Sequence, residues 1–181
     1  MGIKLINSIR QKTIASIPNS FTLLRLFALP HLIWSFNNQI TFAVYGLFLF
    51  SIGSDLADGY ISRKLGANSK FGANLDTGVD FIFINGMYLV FILNGFYSAW
   101  LMVLIIFMFV QFLITNHYLK KTLYDPIGKY YGSLLFGGIG LTLLYPTQIM
   151  YNIVTIGIII STLAAIFSRL LYFHKTKVIP R

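Results

Sequence analysis

Apolar residues in this chain run in long blocks, separated by short breaks rich in polar residues, proline or glycine. Six blocks approach the roughly 17–25 residues that cross a bilayer as a helix. They cover Ser20–Phe36, Thr41–Lys64, Phe71–Asn94, Ser98–Tyr118, Tyr130–Tyr145 and Met150–Phe173. Ahead of them, Met1–Ser16 sets Ile3, Leu5, Ile6 and Ile9 among Lys4, Arg10 and Lys12, a spacing that suits a helix lying in the membrane interface. Its apolar run is too short and too interrupted by charge for a signal peptide. Pro18, with Asn19 or Ser20 as N-cap, predicts a fresh helix start near Ser20. The predicted fold class is an all-α integral membrane protein, six transmembrane helices preceded by a juxtamembrane amphipathic helix. The predicted organisation is a single domain over residues 1–181, with the interfacial helix in 1–17 and the six-helix bundle in 20–173.

Composition narrows the class further. Of the 181 residues, 56% are apolar and 10% charged, against roughly 25% charged in a soluble domain. Surface-to-volume scaling leaves a soluble chain of this size no means of burying so much apolar area. Disorder is excluded on the same ground, and the absence of cysteine excludes a disulfide scaffold.

Charge then sets the predicted orientation. Lys4, Arg10 and Lys12 precede the first span, and Arg25 lies near its start. Arg63, Lys64 and Lys70 separate spans two and three; Lys120, Lys121 and Lys129 separate four and five; Arg169, Lys175, Lys177 and Arg181 gather at the C-terminal end. The connections Asn37–Ile40, Gly95–Tyr97 and Pro146–Gln148 carry no charge. By the positive-inside rule, both termini and the charged connections face the cytoplasm. Tyr118, Tyr130 and Tyr131 suit the interfacial aromatic belt. Gly132, Gly137, Gly138 and Gly140 predict a fifth helix thin enough on one side for close packing.

The acids are distributed quite differently. Only five oppose the fourteen bases, all are aspartate, and Asp55, Asp58, Asp76 and Asp80 fall within 26 residues. A rise of 1.5 Å per residue puts Asp58 and Asp55 about 9 and 13 Å up the second span, and Asp76 and Asp80 roughly 8 and 14 Å up the third. The i, i+3 and i, i+4 spacings put each pair on one helix face, and the short link between the spans favours their meeting. A charge at membrane depth costs about 2.5–3.5 kcal/mol even on lenient scales. Four therefore demand protons or cations. Carboxylates in this number suit Mg²⁺ or Mn²⁺, and two such ions about 3.5–4 Å apart make a phosphoryl-transfer site, where one aspartate can serve as general base. Pairing with Arg63, Lys64 and Lys70 is the structural alternative. Gly59 and Gly72 fit either close approach of a ligand or tight helix packing. Arg63 fits either a diphosphate clamp or an interfacial anchor. Asp125, before Pro126, has no assigned role. A cation-coupled transporter is the rival class, since intramembrane carboxylates also mark ion pathways; its sites belong near the midplane of repeated, broken helices, features this chain lacks.

Read in one line, Asp55-x2-Asp58-Gly59-x2-Ser62-Arg63-x8-Gly72-x3-Asp76-x3-Asp80 resembles the signature of the CDP-alcohol phosphatidyltransferase family, D-x2-D-G-x2-A-R-x8-G-x3-D-x3-D. Seven of the eight fixed residues match with every spacing kept, and Ser62 stands for alanine. The resemblance implies six transmembrane helices, a cytosol-facing site, and transfer of a phosphatidyl group (or an archaeal ether equivalent) from a CDP-linked lipid to an alcohol, with release of CMP. It implies two divalent cations, Mg²⁺ or Mn²⁺, on Asp55, Asp58, Asp76 and Asp80, with Asp80 as catalytic base. It assigns CDP binding to Asp58, Gly59, Ser62, Arg63 and Gly72, and suggests a homodimer. The segment Ile17-Pro18-Asn19-Ser20-Phe21-Thr22-Leu23-Leu24-Arg25 is similar to the I-P-N-x-x-T-x-x-R opening of phosphatidylglycerophosphate and cardiolipin synthases. That ranks glycerol 3-phosphate first among acceptors, ahead of inositol phosphate, serine and phosphatidylglycerol. Lys120, Lys121, Lys129 and Arg169 are the candidate acceptor-binding cations, their alternative being contact with lipid headgroups. Membrane lipids are the expected surroundings, and no nucleic-acid partner is expected.

Overall fold

The computed structural model describes the backbone of residues 2–65, 70–119 and 128–178, and the side chains of residues 20–57, 59–61, 64, 72–114 and 130–171. The described residues form six helices and no strand: α1 (Gly2–Asn37), α2 (Thr41–Leu65), α3 (Lys70–Leu93), α4 (Trp100–Leu119), α5 (Gly128–Leu144) and α6 (Gln148–Val178). Two of them, over Gly72–Leu93 and Gln148–Leu171, are long and apolar enough to cross a membrane; Trp100–Ile114 and Tyr130–Leu144 are shorter apolar stretches. Large apolar side chains stay exposed on every helix, among them Phe27, Phe42, Leu93, Val103, Leu144 and Ile149.

The N-terminal helix departs from expectation. In place of an interfacial helix followed by a new start near Ser20, α1 is continuous over 36 residues, and Pro18, Asn19 and Ser20 are interior to it. A proline removes one N–H and so one bond of the ladder, and membrane helices accommodate that loss. At 1.5 Å per residue, α1 is about 54 Å long, well beyond the roughly 30 Å of a hydrocarbon core.

The chain divides into two compact units, residues 1–86 and 87–181, with the boundary inside α3. In the first unit α1 packs against α2. The buried stripe of α1 is Thr22, Arg25, Ala28, Leu29, Leu32 and Ser35, and that of α2 is Val44, Phe48, Ser51 and Ser54. Both follow the three- and four-residue repeat of a helix face. The serines satisfy their hydroxyls on their own helix, Ser51 donating to the Leu47 carbonyl (2.8 Å) and Ser54 to that of Ser51 (2.9 Å), so neither leaves a buried donor unmade. Leu29 reaches α3, its Cδ2 lying 3.0 Å from the place a Cβ would take on Gly86.

The second unit is built on tyrosine–threonine relays. Thr142 donates to the Gly138 carbonyl on its own helix (2.7 Å). Its oxygen therefore accepts from the Tyr97 hydroxyl, which lies in the α3–α4 connection. The same device joins α5 to α6: Thr162 donates to the Ile158 carbonyl (2.7 Å) and accepts from Tyr131 (3.0 Å). Tyr131 is thus buried in helix packing rather than placed in an interfacial belt. Burial pushes the Tyr97 phenol up to about 12. The fifth helix bears out its expected close packing in part: a Cβ on Gly132 or Gly137 would meet open space, whereas one on Gly138 would meet Tyr88 and Val154. At 100° per residue these glycines point to different sides.

Two helix ends share one stop. After α3, Gly95 has φ +76°, its N–H bonds the Ile92 carbonyl and the Phe96 N–H reaches that of Phe91 (2.9 Å each). After α1, Gln39 takes the glycine's place at φ +59°, with Gln39 N–H on Phe36 and Ile40 N–H on Ser35. Both are Schellman caps. The Phe91 and Phe96 rings stack across the first, with centroids 5.9 Å apart.

Candidate active site

The aspartates converge, and the cation among them comes from α1. Arg25 is fully buried. Its Nη2 donates to Asp55 Oδ1 (2.8 Å) and to Asp76 Oδ1 (3.1 Å), and its Nη1 donates to Asp80 Oδ1. One guanidinium therefore ties α2 and α3 to α1. The carboxylates stand at the edge of the packed interior, with side chains 46%, 40% and 34% exposed for Asp55, Asp76 and Asp80. The cation lies beneath and the acids open outward.

Local sequence explains the convergence. Asp55 directly follows Ser54 on the buried stripe of α2, one turn beyond Ser51. Asp76 and Asp80 are one turn apart and flank Val79, which is 2% exposed. Arg25 occupies the position after Thr22 in the stripe that α1 turns toward its neighbours. Thr77, off that face, returns its hydroxyl to the Ala73 carbonyl (2.9 Å).

The donor set fits a small divalent cation. One oxygen from each of Asp55, Asp76 and Asp80 lies within 4.8 Å of the other two. Ligands of an octahedral Mg²⁺ at 2.0–2.1 Å stand about 2.9 Å apart when adjacent and about 4.2 Å when opposite, so the three oxygens have to draw together before one ion can take them all. Hard oxygen donors are also the chemistry that such ions select.

The other expected residues divide by position. Gly59 is half-buried on α2 and Gly72 half-buried on α3. Asp58, Ser62 and Arg63 on α2, and Lys129 on α5, have side chains outside the described residues; Lys120, Lys121 and Asp125 lie outside them altogether. Arg169 is buried in the second unit at 4% exposure, which removes it from the headgroup contact considered for it. His31 is exposed and its ring nitrogen bonds the Phe27 carbonyl one turn back (3.0 Å).

Arg25 is the site residue that sequence reasoning missed. By position alone it counts with the charges that orient the chain. The available signal was its position, since it stands seven residues beyond Pro18 inside an apolar block and closes the I-P-N-x-x-T-x-x-R segment. Intramembrane cations pair with acids by default.

Known proteins resemble the chain at modest identity. A CDP-diacylglycerol–glycerol-3-phosphate 3-phosphatidyltransferase of Wigglesworthia glossinidia brevipalpis is 28% identical over 174 residues, covering 88% of this chain and 93% of the relative. A chloroplastic protein of the same activity name from Oryza sativa subsp. japonica is 33% identical over 69 residues, covering 38% of this chain; the chain spans only 21% of that relative's length. A Mycobacterium tuberculosis (strain H37Rv) protein named as a cardiolipin synthase is 31% identical over 91 residues, covering 50% of this chain and 44% of its own. No solved structure matches. The family profile described as CDP-alcohol phosphatidyltransferase aligns with residues 15–177 and so takes in α1 from residue 15 onward, with its arginine, as well as the aspartate-bearing helices; the chain belongs to the CDP-alcohol phosphatidyltransferase family.

Proposed function

We propose that this protein transfers a phosphatidyl group from a CDP-linked lipid to the hydroxyl of glycerol 3-phosphate, releasing CMP. The observation that carries the reading is the gathering of Asp55, Asp76 and Asp80 around one point, joined to the complete spacing of the family signature. The acceptor is chosen from the names of the Wigglesworthia and rice relatives. Phosphatidylglycerol is the second choice, in keeping with a mycobacterial relative whose name is that of a cardiolipin synthase. Membership of a transferase family weighs against the cation-coupled transporter.

In this reading the acceptor oxygen attacks the lipid-bearing phosphorus of the diphosphate, the bond from that phosphorus to the bridging oxygen breaks, and CMP departs with the electron pair. Asp80 takes the proton of the attacking hydroxyl. Asp55, Asp58, Asp76 and Asp80 hold two divalent cations, Mg²⁺ or Mn²⁺, which when bound neutralise the diphosphate charge. Gly59, Ser62, Arg63 and Gly72 hold or make room for the cytidine diphosphate, and Lys120, Lys121, Lys129 and Arg169 are the candidate cations for the acceptor phosphate. The chain is read as one domain of six membrane-crossing helices with both termini and the site in the cytoplasm, working as a homodimer. The exposed apolar side chains on every helix support a lipid surrounding.

The test is CMP release by the purified full chain, supplied with Mg²⁺ or Mn²⁺, CDP-diacylglycerol and a panel of glycerol 3-phosphate, inositol phosphate, serine and phosphatidylglycerol. Glycerol 3-phosphate should give the fastest release. Asp80→Asn should lower turnover by about 10²–10⁴-fold, the usual contribution of a general base, while CDP-lipid binding persists. No CMP with any acceptor, or full activity in Asp80→Asn, would overturn the reading.

A further inference from the structure

We infer that Arg25 is a resident counter-cation of the carboxylate cluster, one that holds the aspartates together without metal and competes with divalent cations for them. The inference rests on the reading of these aspartates as metal ligands and adds a role for a residue outside the aspartate signature. Arg25 carries a full charge at 0% exposure, and every hydrogen bond found for its two terminal nitrogens goes to the cluster. Its remaining nitrogen, Nε, is buried without a hydrogen-bond partner among the described residues. An orphaned buried donor is costly. The side chain is thus seated for the carboxylates at the expense of its own third donor, which is unlike an arginine filling space in helix packing.

Geometry makes the competition direct. Arg25 bonds the Oδ1 atom of all three aspartates, and one oxygen from each lies within 4.8 Å of the other two. A divalent ion drawing these oxygens to 2.0–2.1 Å sits against a guanidinium within hydrogen-bond distance of the same carboxylates, and like charges at that range repel strongly in a partly buried site. Metal loading therefore has to loosen the arginine's hold. The arginine in turn keeps carboxylates of α2 and α3 gathered between loadings and makes metal binding weaker than the bare cluster would allow. Such a site is preassembled yet able to exchange its ions.

The discriminating measurement is Mn²⁺ affinity of the full chain in detergent, without lipid substrate, read from the loss of the free-ion paramagnetic resonance signal. A residue that merely supports the fold, or that helps hold the metal, would leave affinity unchanged or weaken it on removal. Arg25→Gln should bind Mn²⁺ at least tenfold more tightly than the wild type, a difference of about 1.4 kcal/mol. Its thermal midpoint should also rise further on Mn²⁺ addition. Arg25→Lys keeps the charge but lacks the planar fork that bridges the carboxylates. Its affinity should fall between the two, at about threefold above wild type. Where the glutamine variant does not fold, the lysine variant decides, its tighter binding than wild type supporting the role. Equal or weaker Mn²⁺ binding in the variant overturns the counter-cation role while leaving the metal site intact. No Mn²⁺ binding by wild type and variants alike overturns the metal reading, and this inference with it.

Discussion

Replacing Asp76 by asparagine should stabilise the metal-free protein, although it removes one partner of a buried arginine. Asparagine keeps the shape and a carbonyl oxygen that can accept the Arg25 Nη2 bond, now 3.1 Å long; only the charge is lost. At an effective dielectric constant near 20, two carboxylate oxygens no more than 4.8 Å apart repel by at least about 3.5 kcal/mol. A guanidinium and a carboxylate with charge centres about 4 Å apart attract by about 4 kcal/mol. The substitution forfeits one attraction and relieves two repulsions, a balance of about 3 kcal/mol in favour of the variant. With the Asp76 and Asp55 side chains 40% and 46% exposed, solvent and salt screen much of this, leaving about 1–2 kcal/mol. For a chain of this size that corresponds to a rise of about 2–8 °C in the unfolding midpoint. The assay is thermal unfolding of the full chain in detergent with EDTA. A parallel series in saturating Mn²⁺ should reverse the order, because there the wild type has one more ligand for the ion. If Asp76→Asn is destabilised equally with EDTA and with Mn²⁺, the carboxylate acts through its contacts rather than its charge, and the electrostatic account of the cluster fails.

Two further predictions concern the framework. A Cβ on Gly138 would stand 2.5 Å from the Tyr88 hydroxyl oxygen and 3.0 Å from Val154 Cγ1, so Gly138→Ala should cost about 1–3 kcal/mol by overpacking; adding Tyr88→Phe, which removes the nearer atom, should recover at least about 1 kcal/mol relative to additivity in a denaturation double-mutant cycle. At the α1 stop, Gln39 holds φ +59°, a conformation glycine adopts without a Cβ penalty. Gln39→Gly should therefore leave stability unchanged or raise it by up to about 1 kcal/mol in the same denaturation assay, whereas Gln39→Val should lower it.

Helix number and most boundaries were legible because the spans are long and the breaks chemically distinct. The expected second block began at Thr41, as α2 does, and the expected third began one residue after the Lys70 start of α3. Pro18 misled because a helix start and a proline embedded in a longer helix share the same local residues. What separates them is the energy of continuing the ladder across the gap, which tertiary surroundings set. Tyr131 misled for a related reason. A tyrosine near a span's end serves an interfacial belt or a buried relay equally well, and only the opposed Thr162 on α6 decides between them.

Arg25 exposes a deeper ambiguity in reading charge in an apolar chain. Basic residues near span ends vote on orientation, and sequence position assigns every one of them the same vote. The vote presumes that the side chain reaches water or headgroups. Arg25 reaches neither, for its helix face is turned inward by Thr22, Leu29 and Leu32, which are as buried as it is. The stripe was present in the sequence at helical spacing, and a charged residue falling within an otherwise uncharged buried stripe is the signature of a partnered charge. The partner was equally visible, since a cluster of acids within apolar blocks needs positive charge whether or not metal is bound. In sequence the bases bear on topology and the acids on chemistry. The structure joins them on one guanidinium, three carboxylates deep.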